Sequence, residues 1–180
     1  MWLEDAERVD VAVYAAIART PTPGLDRAMS RIARAADYSR LSIASAAVLA
    51  VGGGASGRRA AWMGLASVGV TATVVNAALK PLGRRRRPDR EAQTVPEARH
   101  VPMPASSSLP SGHSASAFAF ATGVGAVQPQ AAAPLRLLAA VVAYSRVHTG
   151  VHYPGDVIAG ALIGAVLAQA TTYALERRAS

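Results

Sequence analysis

Two histidines, an aspartate, three spaced cations and a Ser-Gly pair are the chemistry this chain offers. They fall in three stretches: KPLGRRRRP (80–88), PSGH (110–113) and SRVHTGVHYPGD (145–156). In PSGH, Ser111 can cap a helix N-terminus and Gly112 lets backbone approach a ligand closely. The free N–H groups and dipole of a first helical turn make a natural phosphate seat. An ordinary cap ahead of an apolar helix accounts for the same tetrapeptide equally well. In the third stretch Arg146, His148, His152 and Asp156 stand between two apolar segments and read as a loop. Pro154 suits the first turn of the next helix, which puts Asp156 in that turn and His152 just before it. A carboxylate so placed can hold one imidazole nitrogen and leave the other lone pair free to attack. A solvated loop with a capping Asp is the plainer alternative, and three cationic or potentially cationic side chains speak against it. In the first stretch, Lys80 and Arg87 lie seven residues apart, and a positive membrane flank explains the run by itself. Nucleic-acid binding is the weaker reading, because the run is short and no stacking aromatics interleave it.

The elements that must carry these groups are apolar. The chain has 180 residues, enough for one domain, with 51% hydrophobic and only 5% aromatic residues. Small side chains dominate, as close helix packing in a bilayer requires. Ala60–Leu79 is a 20-residue window without charge, about 30 Å as a helix. Further candidate spans are Leu41–Gly54, Ser114–Val127, Leu137–Tyr144 (extended by Ala131–Pro134 and interrupted by Arg136) and Val157–Leu175. The last contains Gly160-x-x-x-Gly164, a spacing for tight helix contact. In the first forty residues, Leu25, Met29, Ile32, Ala33 and Ala36 recur at helical spacing, opposite Arg27, Arg31 and Arg34. PTPG (21–24) reads as a turn, QPQAAAP (128–134) as a connector, and 80–110 as a long loop. The fold expected is therefore all-α: a single-domain membrane helical bundle of five to six helices, with one or two amphipathic N-terminal helices in residues 1–40.

With each apolar segment crossing once, the loop at 80–113 and the loop at 145–156 emerge on the same face. There Lys80, Arg87, Arg146, His113, His152 and Asp156 can meet. Three cations and helix N–H groups suit a phosphate, and two histidines suit a nucleophile and a general acid.

In this order and spacing the three stretches resemble the type-2 phosphatidic acid phosphatase superfamily, whose motifs are K-x6-R-P, P-S-G-H and S-R-x5-H-x3-D. The resemblance covers residues 80–156. It implies His152 as a nucleophile forming a phosphohistidine, Asp156 as its orienting partner and His113 as the acid that protonates the leaving oxygen. It implies Lys80, Arg87, Arg146, Ser111 and Gly112 as phosphate-binding residues. No cofactor and no metal are implied, and the loop carboxylates agree: of Asp89, Glu91, Glu97 and Asp156, only the last falls in a motif. His100 and His148 read as loop residues without a motif role. Arg84, Arg85 and Arg86 read as solvated flank, with an anionic lipid surface or second phosphate as the alternative.

The expected substrate is a lipid phosphate, with a polyprenyl-linked envelope carrier favoured over phosphatidate or phosphatidylglycerophosphate. Its phosphomonoester or diphosphate would be hydrolysed at a bacterial inner membrane. Arg58, Arg59, Arg136, Arg177 and Arg178 fall opposite the site, which points to a multi-pass protein with an extracytoplasmic site. The acidic start, MWLEDAERVD, lacks a basic n-region, so no cleavable signal peptide is expected. The absence of Cys rules out disulfides and thiolate metal sites. A homo-oligomer is compatible with the sequence; nucleic acid is not an expected partner despite the formal charge of +8. The competing classes are a soluble acid phosphatase or haloperoxidase, against which the 20-residue apolar window argues, and a non-enzymatic membrane protein with a basic loop.

Overall fold

The computed structural model describes residues 2–179; Met1 and Ser180, the two ends of the predicted domain, lie outside the described residues. Seven helices of a dozen residues or more, and no strand, are found among the described residues. They are α1 (Trp2–Arg19), α2 (Pro23–Ala35), α3 (Arg40–Gly52), α4 (Gly54–Leu82), α5 (Gly112–Val127), α6 (Pro129–His148) and α7 (Pro154–Ala179). The all-α helical bundle expected from the sequence is what forms.

α5 is the central helix, packed on α4, α6 and α7. It suits that place because its side chains are small: Ala115, Ala119, Ala121, Gly123 and Val124 are buried. Ala60, Ala61 and Val68 of α4 pack with Phe120 and Val124 of α5 in one apolar cluster. The predicted Gly160/Gly164 face does meet a neighbour closely. A Cβ at Gly164 would land on the backbone of Ala115 in α5. Gly164→Ala should therefore push α5 and α7 apart and cost about 1–3 kcal/mol. The check is a lowered thermal midpoint of the detergent-solubilised protein, and an unchanged midpoint would contradict this packing.

α4 and α7 are long and apolar enough to cross a membrane. The other apolar segments sit in shorter or interrupted helices: α3 has 13 residues, α5 has 16, and α6 carries Pro134 and Arg136. α3 turns into α4 at Gly54, whose φ of +59° lies in the left-handed region that glycine tolerates. Near its end α4 widens into a π-helical turn over Val75–Leu79, just before Lys80 and Pro81. Pro81 has no N–H to give, and its ring crowds the carbonyl four residues back, so the helix relaxes there.

Three local expectations are corrected. QPQAAAP is not a connector: Pro129 occupies the first turn of α6 and Pro134 lies inside it. Proline is tolerated in an opening turn, and the alanines between the two favour helix. Ser145, Arg146 and His148 are not in a loop either, but in the last turns of α6. Leu25, placed on the apolar face of α2, is exposed, whereas Met29, Ala33 and Ala36 are buried and Arg27, Arg31 and Arg34 face outward.

Four helix ends meet at one end of the bundle: the C-termini of α4 and α6 and the N-termini of α5 and α7. α1 and α2 pack against α6 at this end. A buried polar cluster ties α2 down. Asp26 of α2 takes the Arg99 Nε–H at 2.8 Å and faces His148 Nε2 at 2.9 Å. The rest of the Arg99 guanidinium donates to the carbonyls of Ile17, Ala18 and Thr20. His148 is thus a buried structural partner, not the loop residue expected. A fully buried arginine is stable here because carboxylate and carbonyls together satisfy its donors.

Candidate active site

The two catalytic-type loops converge at this end of the bundle. The residues linking them are Arg87 and His152. Arg87 donates from Nη1 to the Val151 carbonyl at 2.8 Å and lies 3.2 Å from His152 Nε2. Its Nε and Nη2 donate to the carbonyls of Ser106 and Ser107. A guanidinium only donates, so His152 Nε2 is the acceptor and Nδ1 carries the proton. Nδ1 lies 3.5 Å from Asp156 Oδ2, within ion-pair distance but outside hydrogen-bond geometry. This is the tautomer a nucleophilic Nε2 needs.

Asp156 is fully buried in the first turn of α7. Its Oδ2 accepts from the Ser108 hydroxyl and from the Tyr153 amide, and its Oδ1 accepts from Arg85 Nη1 at 2.8 Å. The Asp156 carbonyl in turn accepts from Ser111 N at 2.9 Å, joining the PSGH turn to the start of α7. Burial pushes the His152 pKa down to about 4; Asp156 opposes that shift, and Arg87 and Arg146 add to it. His152 is consequently neutral, with a free lone pair, through the physiological range.

Ser111 caps α5, its hydroxyl accepting from Ser114 N at 3.4 Å. The hydroxyl is therefore turned toward its own helix. Gly112 opens that helix beside Lys80: a Cβ there would sit 3.5 Å from Lys80 Nζ. Lys80 Nζ reaches Ser106 Oγ at 3.3 Å, and Arg87 Nη2 reaches the same oxygen at 3.4 Å. His113 follows, with Nε2 3.0 Å from Asp37 Oδ1. Arg146, nearly fully buried, donates to the Ala33 carbonyl at 3.2 Å and lies 3.8 Å from the same Asp37 oxygen. Its Nε has no partner within the protein among the described residues. Burial pushes the His113 pKa down to about 4; Arg146 adds to that shift, Asp37 opposes it, and His152 is near enough to contribute. Every residue expected at the site, namely Lys80, Arg87, Ser111, Gly112, His113, Arg146, His152 and Asp156, is thus brought to one place.

Sequence reasoning missed five contributors. Asp37 sits on the turn between α2 and α3, where Tyr38 and Ser39 both have positive φ (56° and 57°). Asp10 of α1 binds Arg85 and the Gly155 amide. Arg85 is half-buried in ion pairs rather than solvated flank. Ser106 and Ser108 come from the triple serine ahead of PSGH, and that serine run was the one available signal. A cavity of about 420 Å³ opens beside His113 and Lys80, walled by Leu41, Val75, Ala117 and Val142 and edged by Tyr38.

A helical bundle that gathers two histidines, a buried carboxylate and three cations at its helix ends defines a phosphate-handling class of membrane protein. The chain belongs to the PAP2 superfamily, whose model matches residues 60–180. It is 35% identical over 111 residues to decaprenylphosphoryl-5-phosphoribose phosphatase from two strains of Mycobacterium tuberculosis. That match covers 61% of this chain and 59% of the relatives' length. Its fold is similar to a transmembrane PAP2-type phosphatidylglycerolphosphate phosphatase from Bacillus subtilis, with a TM-score of 0.71 and 23% identity over 96% of this chain and 87% of the other. It is also similar to LpxE from Aquifex aeolicus, with a TM-score of 0.70 and 25% identity over 89% and 93% of the two chains.

Proposed function

We propose that this protein is a metal-independent phosphatase of membrane lipids, acting through a phosphohistidine on His152. The observation that carries this reading is the pairing of His152 Nε2 with Arg87 inside a cationic cluster, while Nδ1 faces a buried carboxylate. Lys80, Arg87, Arg146 and the first-turn amides of α5 bind the phosphate oxygens, and the unpartnered Arg146 Nε supplies one donor. His152 Nε2 attacks phosphorus. The bond to the leaving oxygen breaks, and that oxygen takes a proton from His113. Burial and the Arg146 charge hold the His113 pKa down at about 4 in the free site. Asp37 opposes this and the bound phosphate dianion adds its negative charge, so the imidazolium forms in the complex, with Nε2–H on Asp37 and Nδ1–H left for the transfer. Neutral His113 then takes a proton from water as it attacks the phosphohistidine. The N–P bond breaks, phosphate leaves, and His152 returns to its neutral form.

Metal independence is supported by the donor set. The one motif carboxylate, Asp156, is already committed to Arg85, Ser108 and the Tyr153 amide, and cations surround the rest of the site. A lipid substrate is supported by the cavity beside His113, where apolar walls lead to a cationic end. The sequence relatives are named for decaprenylphosphoryl-5-phosphoribose. A polyprenyl-linked phosphate is therefore the favoured substrate class, ahead of phosphatidylglycerophosphate and phosphatidate. A multi-pass protein with its site on the extracytoplasmic side is supported by Arg58, Arg59, Arg136, Arg177 and Arg178, all toward the opposite helix ends.

The test is phosphate release from a panel of polyprenyl and glycerolipid phosphates in detergent micelles, with EDTA present. Release should persist in EDTA and be blocked by vanadate, with the polyprenyl substrates turned over fastest. Release lost in EDTA and restored by Mg²⁺ would refute the mechanism.

A further inference from the structure

The four-arginine run is extended, and its side chains alternate. Arg84 and Arg86 are exposed, while Arg85 and Arg87 turn inward. Arg87 goes to His152. Arg85 goes to Asp156 on one side and, at 2.6 Å, to Asp10 of α1 on the other. We propose that Arg85 is a positioning residue that holds Asp156 in line with His152, and that Asp10 is its anchor. This rests on the reading of His152 as nucleophile.

Asp156 can turn about its side-chain bond unless both oxygens are held. Ser108 and the Tyr153 amide hold Oδ2, the oxygen facing His152, and Arg85 holds Oδ1. The Arg85 guanidinium is itself fixed. It lies over the Tyr153 ring, 4.3 Å from the centroid, and the backbone carbonyl of Arg85 accepts from Ser108 N at 2.9 Å. Asp10 also accepts from Gly155 N at 2.7 Å, so one carboxylate of α1 grips both the arginine and the turn that opens α7. The charges matter as much as the geometry. Asp10 offsets Arg85, which keeps the negative charge of Asp156 available to the cation developing on His152. Without Asp10, Arg85 would draw on Asp156 alone. A helix outside the matched residues 60–180 thereby becomes part of the catalytic apparatus.

The test uses full-length enzyme in micelles with one lipid phosphate, comparing Arg85→Gln, Arg85→Lys, Asp10→Asn, the double variant Asp10→Asn/Arg85→Gln and His152→Ala. Arg85→Gln should lower kcat about 10–100-fold, the scale for groups that orient a reacting side chain, with KM within about twofold. Arg85→Lys should recover only part of this, since an ammonium cannot fork between two carboxylates. Asp10→Asn should lower kcat less, and the double variant should be no worse than Arg85→Gln, because the asparagine oxygen can still accept from Gly155 N and only the grip on the arginine is lost. Phosphoenzyme trapped by rapid quench should form more slowly in step with kcat, which a purely structural contact would not produce in a folded variant. If Arg85→Gln does not fold, Asp10→Asn carries the same test, with the same split between kcat and KM. Wild-type kcat in Arg85→Gln, losses that multiply in the double variant, or losses confined to KM would each overturn the inference. An active His152→Ala would overturn the reading of the site and this inference with it. An inactive His152→Ala beside a fully active Arg85→Gln overturns this inference alone.

Discussion

Replacing His152 with Ala should lower phosphate release by at least about four orders of magnitude while leaving the fold intact. The side chain is buried and its Nε2 is already oriented by Arg87, so no nearby group can take its place. Asp156 faces the other nitrogen and is held by three donors of its own. The variant should still bind lipid phosphate, because Lys80, Arg87 and Arg146 remain. Titration should also report on this residue. Burial holds His152 near a pKa of 4, below the ordinary 6.5. For a base that acts unprotonated, activity is full above its pKa and lost as pH falls through it. The acid limb of kcat/KM should therefore fall near pH 4, once the second ionisation of the phosphate substrate, near pH 6, is allowed for. A His152→Ala variant within tenfold of wild type would rule out His152 as the nucleophile, and an enzyme limb near 6.5 would show that burial does not hold the imidazole neutral.

The second large effect is at His113. His113→Ala should lower kcat by about 10²–10⁴-fold on a lipid phosphate, whose alkoxide leaving group needs a proton. The loss should shrink to less than about tenfold on an aryl phosphate with an acidic phenol, which departs without help. That dependence on the leaving group separates proton donation from a merely structural role. Asp37→Asn should fall between wild type and His113→Ala on the lipid substrate, because the amide cannot stabilise the imidazolium across the 3.0 Å contact. Equal losses on both substrates would show that His113 positions phosphate rather than delivering a proton.

Much of this site is legible without coordinates because its parts are local. His152 and Asp156 are four residues apart across a helix start that Pro154 marks. Ser111 caps the helix it introduces, and Lys80 closes a 20-residue uncharged window. Such relations follow from backbone geometry, and a linear sequence records them. Helix order adds the rest: two loops preceding alternate helices of a bundle must share an end.

What tertiary structure alone decided is which charges pair across long separations. Arg85 and Arg86 are neighbours of the same type, yet one bridges Asp10 and Asp156 and the other is exposed, because an extended backbone turns successive side chains to opposite faces. Asp37 reaches His113 across 76 positions, Asp10 reaches Arg85 across 75, and Asp26 reaches His148 across 122. No periodicity announces such contacts. Whether a charged side chain is solvated or bound depends on which partner the packing of α1 and α2 brings against it. The proposed nucleophile and its carboxylate are therefore written in the sequence, while the carboxylates that brace the site come from the way the N-terminal helices close over the bundle.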